Sequence, residues 1–420
     1  MDTGNTGFLI ICTALVLMMT PALAFFYGGL VRAKSVISMM MLTFGSMALI
    51  GVMWIIYGYA ITFAAPGNPG YVGIPGIIGI DLGHIGLEHL LTIPEGASVP
   101  PLVFAAFQAT FAIITVALIS GAIADRAKFG AWLVFAGVWA TLVYFPVASW
   151  VFNYQVDPIT HKITSGGWIV ANLGAIDFAG GTAVEINSGA AALALALVLG
   201  KRIGFAKGIH KPHNVPFVLL GAGLLWFGWF GFNAGSELAA DGVASLALIN
   251  TMAAGASGIL GWLIVERLKD GKGTSVGAAS GAVAGLVAIT PSCASLTPMW
   301  AVVVGAITGV VCALAVELKF HFGFDDSLDV VGIHLVGGLI GMLAIGFFGM
   351  EVGLIYTGSF EQLGKQALAS AVVLLFSFGM TYAIGWLVEK TMGFRVRNED
   401  ELAGIDTVIH GEEGYAIDGY

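Results

Sequence analysis

The sequence predicts an all-α polytopic membrane protein, and two observations support that fold class. Of the 420 residues, 58% are hydrophobic and only 10% are charged, with a mean hydropathy of +0.91. A soluble domain usually carries about a quarter charged residues. The hydrophobic residues also lie in runs of about 20, which are long enough to cross a bilayer core about 30 Å thick as helices.

We count eleven such runs and expect eleven transmembrane helices. The first run resembles a signal peptide at Ala22-Leu23-Ala24, but Met1–Gly7 carries no Lys or Arg and the run continues to Arg32, so we expect it to be retained. The eighth run is short and rich in glycine. The runs cover roughly residues 7–31, 36–63, 99–124, 129–152, 178–200, 216–236, 245–265, 275–290, 298–318, 327–349 and 365–390.

The basic residues indicate the orientation of the chain. If the first connection lies inside, all but two of the 17 Lys and Arg residues face the inner side, and the exceptions are Lys162 and Lys365. Cytoplasmic loops collect positive charge. We therefore expect a multi-pass protein of the cytoplasmic membrane with its N-terminus outside and its C-terminus inside. Residues 1–394 would form one transmembrane domain and residues 395–420 a cytoplasmic tail.

The eleven runs also divide into five, five and one. Residues of about 7–200 and 216–349 would form inverted repeats, and 365–390 would add the last helix. The chain contains 60 glycines, many of them at small-xxx-small spacing, as at Gly277, Gly281 and Gly285. Small residues let helices approach closely in lipid, so we expect a tight bundle with a narrow pore.

Two ionisable residues, Glu185 and His334, lie deep inside apolar runs. Each follows an aspartate by eight residues, Asp177 for Glu185 and Asp326 for His334. Aspartate favours a helix N-cap, and eight helical residues rise about 12 Å. If the two caps lie at opposite membrane faces, both side chains reach the middle of the core, where they would meet.

Glycine pairs adjoin both positions, Gly180-Gly181 and Gly337-Gly338, and would either permit the crossing or serve only general packing. Taken alone, His334 would equally suit a satisfied structural histidine. An isolated ionisable group at that depth is costly, so an acid and an imidazole there are expected to pair. The pair can hold one proton and titrate as a unit, which predicts a proton relay.

Other chemistry has little support in the sequence. Cys12, Cys293 and Cys312 suggest small packing residues, neither a disulfide framework nor a metal site. The acid and the histidine lack a third ligand, and no nucleotide-binding or hydrolase motif is present. We expect no metal, no cofactor, no nucleic-acid partner and no enzymatic activity.

Aromatic side chains cluster toward the outer ends of two runs, at Phe107 and Phe111 and at Trp229 and Phe232, with Ser236 one turn further out. Aromatic faces bind cations and a hydroxyl accepts an N–H donor, so these residues predict a vestibule for a small cation. Each aromatic alone would equally suit packing or an interfacial belt. The outer connections carry an excess of acids, namely Asp81, Glu88, Glu95, Asp157, Glu237 and Asp241.

Three motifs resemble the Amt/Mep/Rh ammonium transporters: DFAGGT at 177–182, GWFGFNAGS at 228–236, and DDSLDV at 325–330 followed by His334. The resemblance covers nearly the whole chain in order, including the tail from Arg395 to Tyr415. It implies a homotrimer of eleven-helix subunits in membrane lipid, each with its own pore. In the family, ammonium is gathered at an outer aromatic vestibule, loses its proton and crosses as ammonia.

The resemblance also implies roles for individual residues. Asp177 would hold the pore helices and favour cation entry, and His334 matches the second of two pore histidines. Glu185 stands where most members have the first histidine. Residues 153–165 look inserted, so a further vestibule aromatic is left open between Trp150 and Phe152. The outer gate would consist of Phe107, Phe111 and Phe232, and the vestibule would include Phe111, Trp229, Phe232, Ser236 and Asp177.

A trimeric PII-type signal protein is a further partner that the resemblance implies at the inner mouth. Lys201, Arg202, Lys207 and Lys211 would receive it, or they are an ordinary positive-inside surface.

The leading functional interpretation is an electrogenic ammonium transporter. The alternative is an ammonium sensor that signals through its tail. A sensor usually carries an output domain, whereas only about 30 residues follow the last run here, which favours transport. A channel for uncharged gas of the Rh kind fits the aromatic, acidic outer side less well.

Overall fold

The structure is a computed structural model that describes residues 1–157, 163–205 and 211–415. Within these ranges ten helices are long and apolar enough to cross a membrane, and one further apolar helix is shorter. Lys162, Lys207 and the last five residues of the predicted tail lie outside the described residues. We number the helices α1 (Thr3–Leu30), α2 (Ala33–Thr62), α3 (Pro101–Ile123), α4 (Phe129–Phe152), α5 (Gly181–Leu199), α6 (Val215–Gly235), α7 (Gly242–Asp270), α8 (Ser275–Ile289), α9 (Pro298–Phe322), α10 (Val331–Phe348) and α11 (Glu361–Met392).

The predicted class, a helical polytopic membrane protein, is confirmed, and each of the eleven predicted runs coincides with one of these helices. The exact number of spans depends on α8. Its 15 residues would rise about 22 Å, less than the core of about 30 Å. The count of eleven and the orientation therefore stay predictions.

Two small β-hairpins interrupt the connections between helices. Between α2 and α3, strand β1 (Tyr71–Ile74) pairs antiparallel with β2 (Ile78–Asp81). Between α4 and α5, strand β3 (Tyr154–Val156) pairs antiparallel with β4 (Ile163–Gly166), with an irregularity between Gln155 and Val156. The sequence analysis predicted neither hairpin. The second one lies in the segment that looked inserted, and it forms part of the wall of the site described below.

Helices α1 and α6 pack antiparallel along much of their length. Gly221 lies so close to α1 that a Cβ there would be 2.6 Å from the Phe26 Cα, and a Cβ at Gly29 would be 2.8 Å from the Val218 backbone nitrogen. Toward the other end, Gly231 approaches Cys12 in the same way. The two helices open the two predicted repeats, so their antiparallel packing supports an inverted relationship.

Helix α8 packs against α7 through the glycine stripe that the sequence singled out. A Cβ at Gly281 would lie 2.7 Å from the Gly258 carbonyl oxygen, and a Cβ at Gly258 would lie 2.9 Å from the Gly285 Cα. Gly277 faces the side chain of Glu266 on the same helix α7. The predicted role of these glycines in close packing is confirmed, because backbone meets backbone at this contact.

The tail folds back onto the helical domain. Arg395 forms an isolated β-bridge with Ala127, in the connection between α3 and α4. The carboxylate of Asp406 accepts hydrogen bonds from the backbone N–H groups of Ile37 (3.0 Å) and Ser38 (2.7 Å), near the start of α2. A carboxylate there satisfies N–H groups of the first helical turn and suits the positive end of the helix dipole.

We expect Gly258→Ala to lower the stability of the bundle by about 1–3 kcal/mol, because its Cβ has no room between α7 and α8. The measurement is the midpoint of thermal unfolding in detergent. Gly223→Ala in α6 is the matched control, since no atom lies within 4 Å of its Cβ position. Equal midpoints for the two variants would contradict the close packing.

Candidate functional site

Asp177 caps the start of α5 with both carboxylate oxygens. They accept hydrogen bonds from the backbone N–H groups of Gly180 (2.8 Å), Gly181 (2.6 Å) and Thr182 (2.7 Å), and from the Thr182 hydroxyl. Gly180 itself takes φ +116°, a conformation that favours glycine. These bonds satisfy the free N–H groups of the first turn and fix where α5 begins.

Asp326 has the corresponding place before α10. Its carboxylate accepts a hydrogen bond from the backbone N–H of Val331 at 2.7 Å. The preceding segment is anchored by the buried Arg126, which donates to the Ser327 hydroxyl (2.5 Å) and to the Asp325 carbonyl (2.6 Å). Both aspartates therefore accept N–H bonds at a helix start, as predicted. The helices begin only at Gly181 and Val331, however, so Glu185 and His334 lie four and three residues after the first helical residue and not eight.

Both site helices start with a π-helical turn, Gly181–Ile186 in α5 and Val331–Leu335 in α10. In α5 the N–H of Glu185 donates to the Gly180 carbonyl five residues earlier, at 3.0 Å. A π-turn widens the helix and occurs most often at functional sites. Each of these turns contains one of the two ionisable residues of the predicted pair.

The side chains of Glu185 and His334 are in contact. Glu185 Oε2 lies 2.6 Å from His334 Nδ1, and the two residues are 1% and 4% exposed. Within the described part of the chain, His334 is the hydrogen-bond partner of the Glu185 carboxyl group. A contact of this length requires a proton between the two atoms, so the buried pair holds at least one exchangeable proton.

The crossing of α5 and α10 has reciprocal geometry. A Cβ at Gly338 would lie 2.9 Å from the Glu185 Cβ, and a Cβ at Gly189 would lie 2.6 Å from the Leu335 Cβ. Glu185 and His334 are 149 residues apart, and the same interval relates Gly189 to Gly338. Each helix thus presents a glycine to the polar turn of the other, which supports the predicted inverted repeat.

Only one of the four expected glycines lies at this crossing. A Cβ at Gly181 would lie 2.6 Å from Pro291, and one at Gly337 would lie 2.9 Å from Val287. Gly180 serves the turn before α5. The close approach uses Gly338 together with Gly189, a residue that the sequence analysis did not single out, because the contact falls one helical turn after the polar residue.

The pair lies at a narrow apolar cavity of about 10 Å³, roughly the room that one water molecule needs. Apart from the pair, every lining residue is apolar or aromatic. The lining consists of Met19, Leu23, Phe26, Ile114, Leu118, Val184, Glu185, Leu225, Trp229, Phe232, Val283 and His334.

A second cavity of about 130 Å³ lies on the other side of two aromatic rings. We call it the outer cavity and the first one the inner cavity, after the predicted orientation of the chain. Phe111 lines this outer cavity, Phe232 lines the inner one, and the two rings stack with centroids 4.2 Å apart. Both residues are 1% exposed, and the stacked pair, which we call the gate after its predicted role, separates the two cavities. Phe107 packs edge-on against Phe111 at 4.9 Å and lines neither cavity, which makes it a support behind the gate.

Of the residues predicted for the vestibule, Ser236 lines the outer cavity, and of the two alternatives Trp150 and Phe152 only Phe152 does. Phe152 lines the cavity with its ring 6.1 Å from that of Phe111. Trp150 points elsewhere, because its indole donates to the Ile77 carbonyl at 2.5 Å. The lining residues are Phe104, Gln108, Phe111, Phe152, Tyr154, Phe178, Ser236 and Leu238.

Two residues predicted for the vestibule lie elsewhere. Trp229 lines the inner cavity, below the gate, and its indole donates to the Thr290 hydroxyl at 2.8 Å. Asp177 does not line the outer cavity, because its carboxylate is occupied by the cap of α5. The sequence spacing of three between Trp229 and Phe232 put both on one face of α6, but it did not show that the gate separates them.

Sequence reasoning missed several lining residues of the outer cavity. Gln108 had a usable signal, because Phe104, Gln108 and Phe111 follow at four and three residues and so share a face of α3. Tyr154 had none, since its position depends on the β3–β4 hairpin. Phe178 and Leu238 lie in the connections before α5 and after α6, where periodicity says nothing about direction.

The four basic residues predicted for the inner mouth differ in exposure and in their contacts within the protein. Arg202 donates to the carboxylates of Asp325 (2.9 Å) and Asp125 (3.0 Å), so it holds the connections before α10 and α4 together. Lys201 is exposed and lies over the ring of Phe205. Lys211 is exposed, and Lys207 is outside the described residues. Arg202 therefore has a structural role within the protein itself, and its presence is no argument for a docking partner.

Comparison with known proteins points to one family. The Ammonium Transporter Family model matches residues 7–415. An ammonium transporter of Mycobacterium tuberculosis (strain ATCC 25618 / H37Rv) is 52% identical over 435 residues, which cover 99% of this chain and 90% of that protein.

Solved structures agree with this match. The crystal structure of Candida albicans Mep2 has a TM-score of 0.85 at 32% identity, covering 95% of this chain and 88% of that chain. A protein called Sensor Amt Protein has a TM-score of 0.86 at 30% identity, covering 96% of this chain and 98% of that chain.

We expect Asp177→Ala to destabilise the protein by about 1–3 kcal/mol, because several N–H groups at the start of α5 lose their acceptor. The midpoint of thermal unfolding in detergent measures the effect. Glu95→Ala, at an exposed position, removes a carboxylate of the same charge without a capping role and should leave the midpoint unchanged. A midpoint of Asp177→Ala equal to that of Glu95→Ala would refute the capping role.

Proposed function

The chain belongs to the ammonium transporter family, and from this premise we propose that it carries ammonium through its own helical bundle by separating ammonia from a proton. The observation that carries the proposal is the contact of 2.6 Å between Glu185 and His334 beside a narrow apolar cavity. An apolar passage disfavours a cation, whereas neutral ammonia can enter it. A pair that shares a proton can take up the one left behind.

The first step is capture of ammonium in the outer cavity. The rings of Phe104, Phe111 and Phe152 offer aromatic faces to a cation, and Ser236 offers a hydroxyl oxygen. The stacked rings of Phe111 and Phe232 must then separate before the substrate can pass. Ring movement of this kind is a local side-chain motion and needs no rearrangement of the helices.

The second step is deprotonation and relay. Ammonia passes the inner cavity while the proton moves separately through Glu185 and His334, and both reach the inner side, so uptake carries net positive charge. Glu185 can donate or accept a proton, and its ionised form stabilises a cation more strongly than a neutral imidazole would. This difference predicts a faster or less selective pore than one with two histidines.

We infer the membrane location, the orientation, the oligomeric state and a partner from the family and from the charge pattern. We place the protein in the cytoplasmic membrane, with its N-terminus outside and its tail inside, as a homotrimer. The excess of Lys and Arg on one side supports the orientation. A PII-type regulatory protein at the inner mouth is supported by the exposed Lys201 and Lys211 and by the adjacent tail.

An ammonium sensor is the second candidate, and the similarity to Sensor Amt Protein favours it. The tail offers a route for a signal, because Asp406 binds the backbone at the start of α2 and Glu401 accepts a hydrogen bond from the Ile203 N–H at 2.6 Å. Transport has the stronger support, because curated relatives that match 99% of the chain are named ammonium transporters.

The first prediction is that ammonium evokes an inward current when the protein is reconstituted on a planar supported membrane. Net charge crosses with each substrate because the proton follows the ammonia. Liposomes without protein are the control. Ammonium binding that is accompanied by no current would favour the sensor over the transporter.

The second prediction concerns Glu185→His in the same assay. Removing the carboxylate removes a charge that stabilises cations in the pore, so the potassium current should fall relative to the ammonium current, by roughly tenfold for about 1.4 kcal/mol. The ratio of ammonium to potassium current is the measured quantity. An unchanged ratio would count against a role of Glu185 in selectivity.

A further inference from the structure

One buried polar side chain of the outer cavity has no hydrogen-bond partner among the described residues. Gln108 is 9% exposed and lines the cavity, and within the described part of the chain its amide makes no hydrogen bond. The nearby Thr110 behaves differently, since its hydroxyl donates to the Phe107 carbonyl at 2.6 Å. The amide atoms of Gln108 are not among the fully buried unpaired atoms of the described residues, so they are accessible from the cavity, where the amide oxygen can accept a hydrogen bond from a ligand.

A second acceptor lies in the same cavity. The hydroxyl of Ser236 donates to the Phe232 carbonyl at 2.8 Å, which leaves its oxygen free to accept. The remaining lining is aromatic or aliphatic apart from the hydroxyl of Tyr154. The cavity thus has an aromatic side and a polar side.

A negative charge lies at the rim of this cavity. Glu237 is partly buried, and its neighbours in sequence, Ser236 and Leu238, both line the cavity. Burial, and after it the negative charge of Glu237, raises the pKa of the hydroxyl of the lining Tyr154. The carboxylate is therefore close enough to influence a cation in the cavity. Asp241, Tyr154 and the buried Cys293 are titratable groups that interact electrostatically with Glu237.

The charge of Glu237 depends on a neighbouring acid. Asp241 caps α7, with Oδ1 accepting the N–H groups of Val243 (2.9 Å) and Ala244 (3.1 Å), so its position is fixed. Burial, and after it the charge and hydrogen bond of Asp241, together raise the pKa of Glu237 to about 7. Glu237 is hence negative above neutral pH and uncharged below it.

We propose that Gln108 and Glu237 form the polar side of the ammonium site in the outer cavity, Gln108 by accepting an N–H bond through its amide oxygen and Glu237 by supplying negative charge. The inference rests on the proposed function and deepens it. Ammonium stays protonated across the range in which Glu237 titrates. Capture therefore weakens as the outer solution is acidified through neutrality, because the site loses charge while the substrate does not.

The experiment is the ammonium dependence of the current on a planar supported membrane, at outer pH 6, 7 and 8. For the wild type, KM should rise as the pH falls from 8 to 6. Glu237→Gln should raise KM several-fold at pH 8, match the wild type at pH 6 and leave the maximal current nearly unchanged. Gln108→Leu should raise KM about tenfold at every pH, the factor that follows from loss of one hydrogen bond to a charged group.

Matched control variants show whether KM changes only when a residue of the proposed site is replaced. Glu351→Gln removes an exposed carboxylate from the connection between α10 and α11, and Thr110→Val removes a buried hydroxyl near Gln108 on α3. Both should keep the wild-type KM. Gln108→Glu retains an acceptor of similar size and should keep KM at or below the wild-type value, which remains informative if Gln108→Leu fails to fold.

Two results would overturn the proposal while leaving ammonium transport intact. One is a wild-type KM that does not change between pH 6 and 8, and the other is a wild-type KM at pH 8 in both Glu237→Gln and Gln108→Leu. A wild type without any ammonium current would instead overturn the proposed function, and this inference with it.

Discussion

The hydrogen bond between Glu185 and His334 constrains much of the surrounding structure. It joins α5 and α10, which come from the two halves of the chain, and it is buried among apolar side chains. A group of this kind is stable there only when its partner is held in place, since either residue alone would be an uncompensated polar group in an apolar core. The π-turns, the aspartate caps and the glycines at Gly189 and Gly338 together fix that distance.

The same constraint explains why the crossing is made of small residues. A hydrogen bond of 2.6 Å between side chains on two helices requires the backbones to approach closely, and any Cβ at Gly338 would meet the Cβ of Glu185 itself. The close packing of α5 against α10 and the hydrogen bond between Glu185 and His334 therefore depend on one another. Helix association in lipid gains little from the hydrophobic effect, so close dispersion contacts of this kind have to supply much of the stability.

The sequence predicted the parts of the site that depend on helix periodicity and depth. The equal intervals from Asp177 to Glu185 and from Asp326 to His334 singled out the two residues that are in contact, although the eight helical residues on which that prediction rested are not present, because the helices begin at Gly181 and Val331. The sequence could not place Trp229 below the gate, because the direction of a ring into one cavity or the other depends on the neighbouring helices. It also could not find Tyr154, whose position follows from a hairpin in a connection rather than from any apolar pattern. The positions of side chains in the connections between helices depend on contacts that are distant in sequence, and hydrophobic periodicity does not predict such contacts.

Two acids of this protein lie on opposite sides of the closed aromatic gate, and their environments differ in the way their proposed tasks require. Glu237 lies at the rim of the outer cavity, where it is partly exposed and can exchange protons with the solution. Glu185 is sealed below the stacked rings of Phe111 and Phe232 and has an imidazole in direct contact. A charge at the rim attracts a cation before the gate, whereas a proton site below it acts only on a substrate that has already passed. In the proposed mechanism the gate therefore separates recruitment from proton handling, so a substitution at one acid can change its step without changing the other.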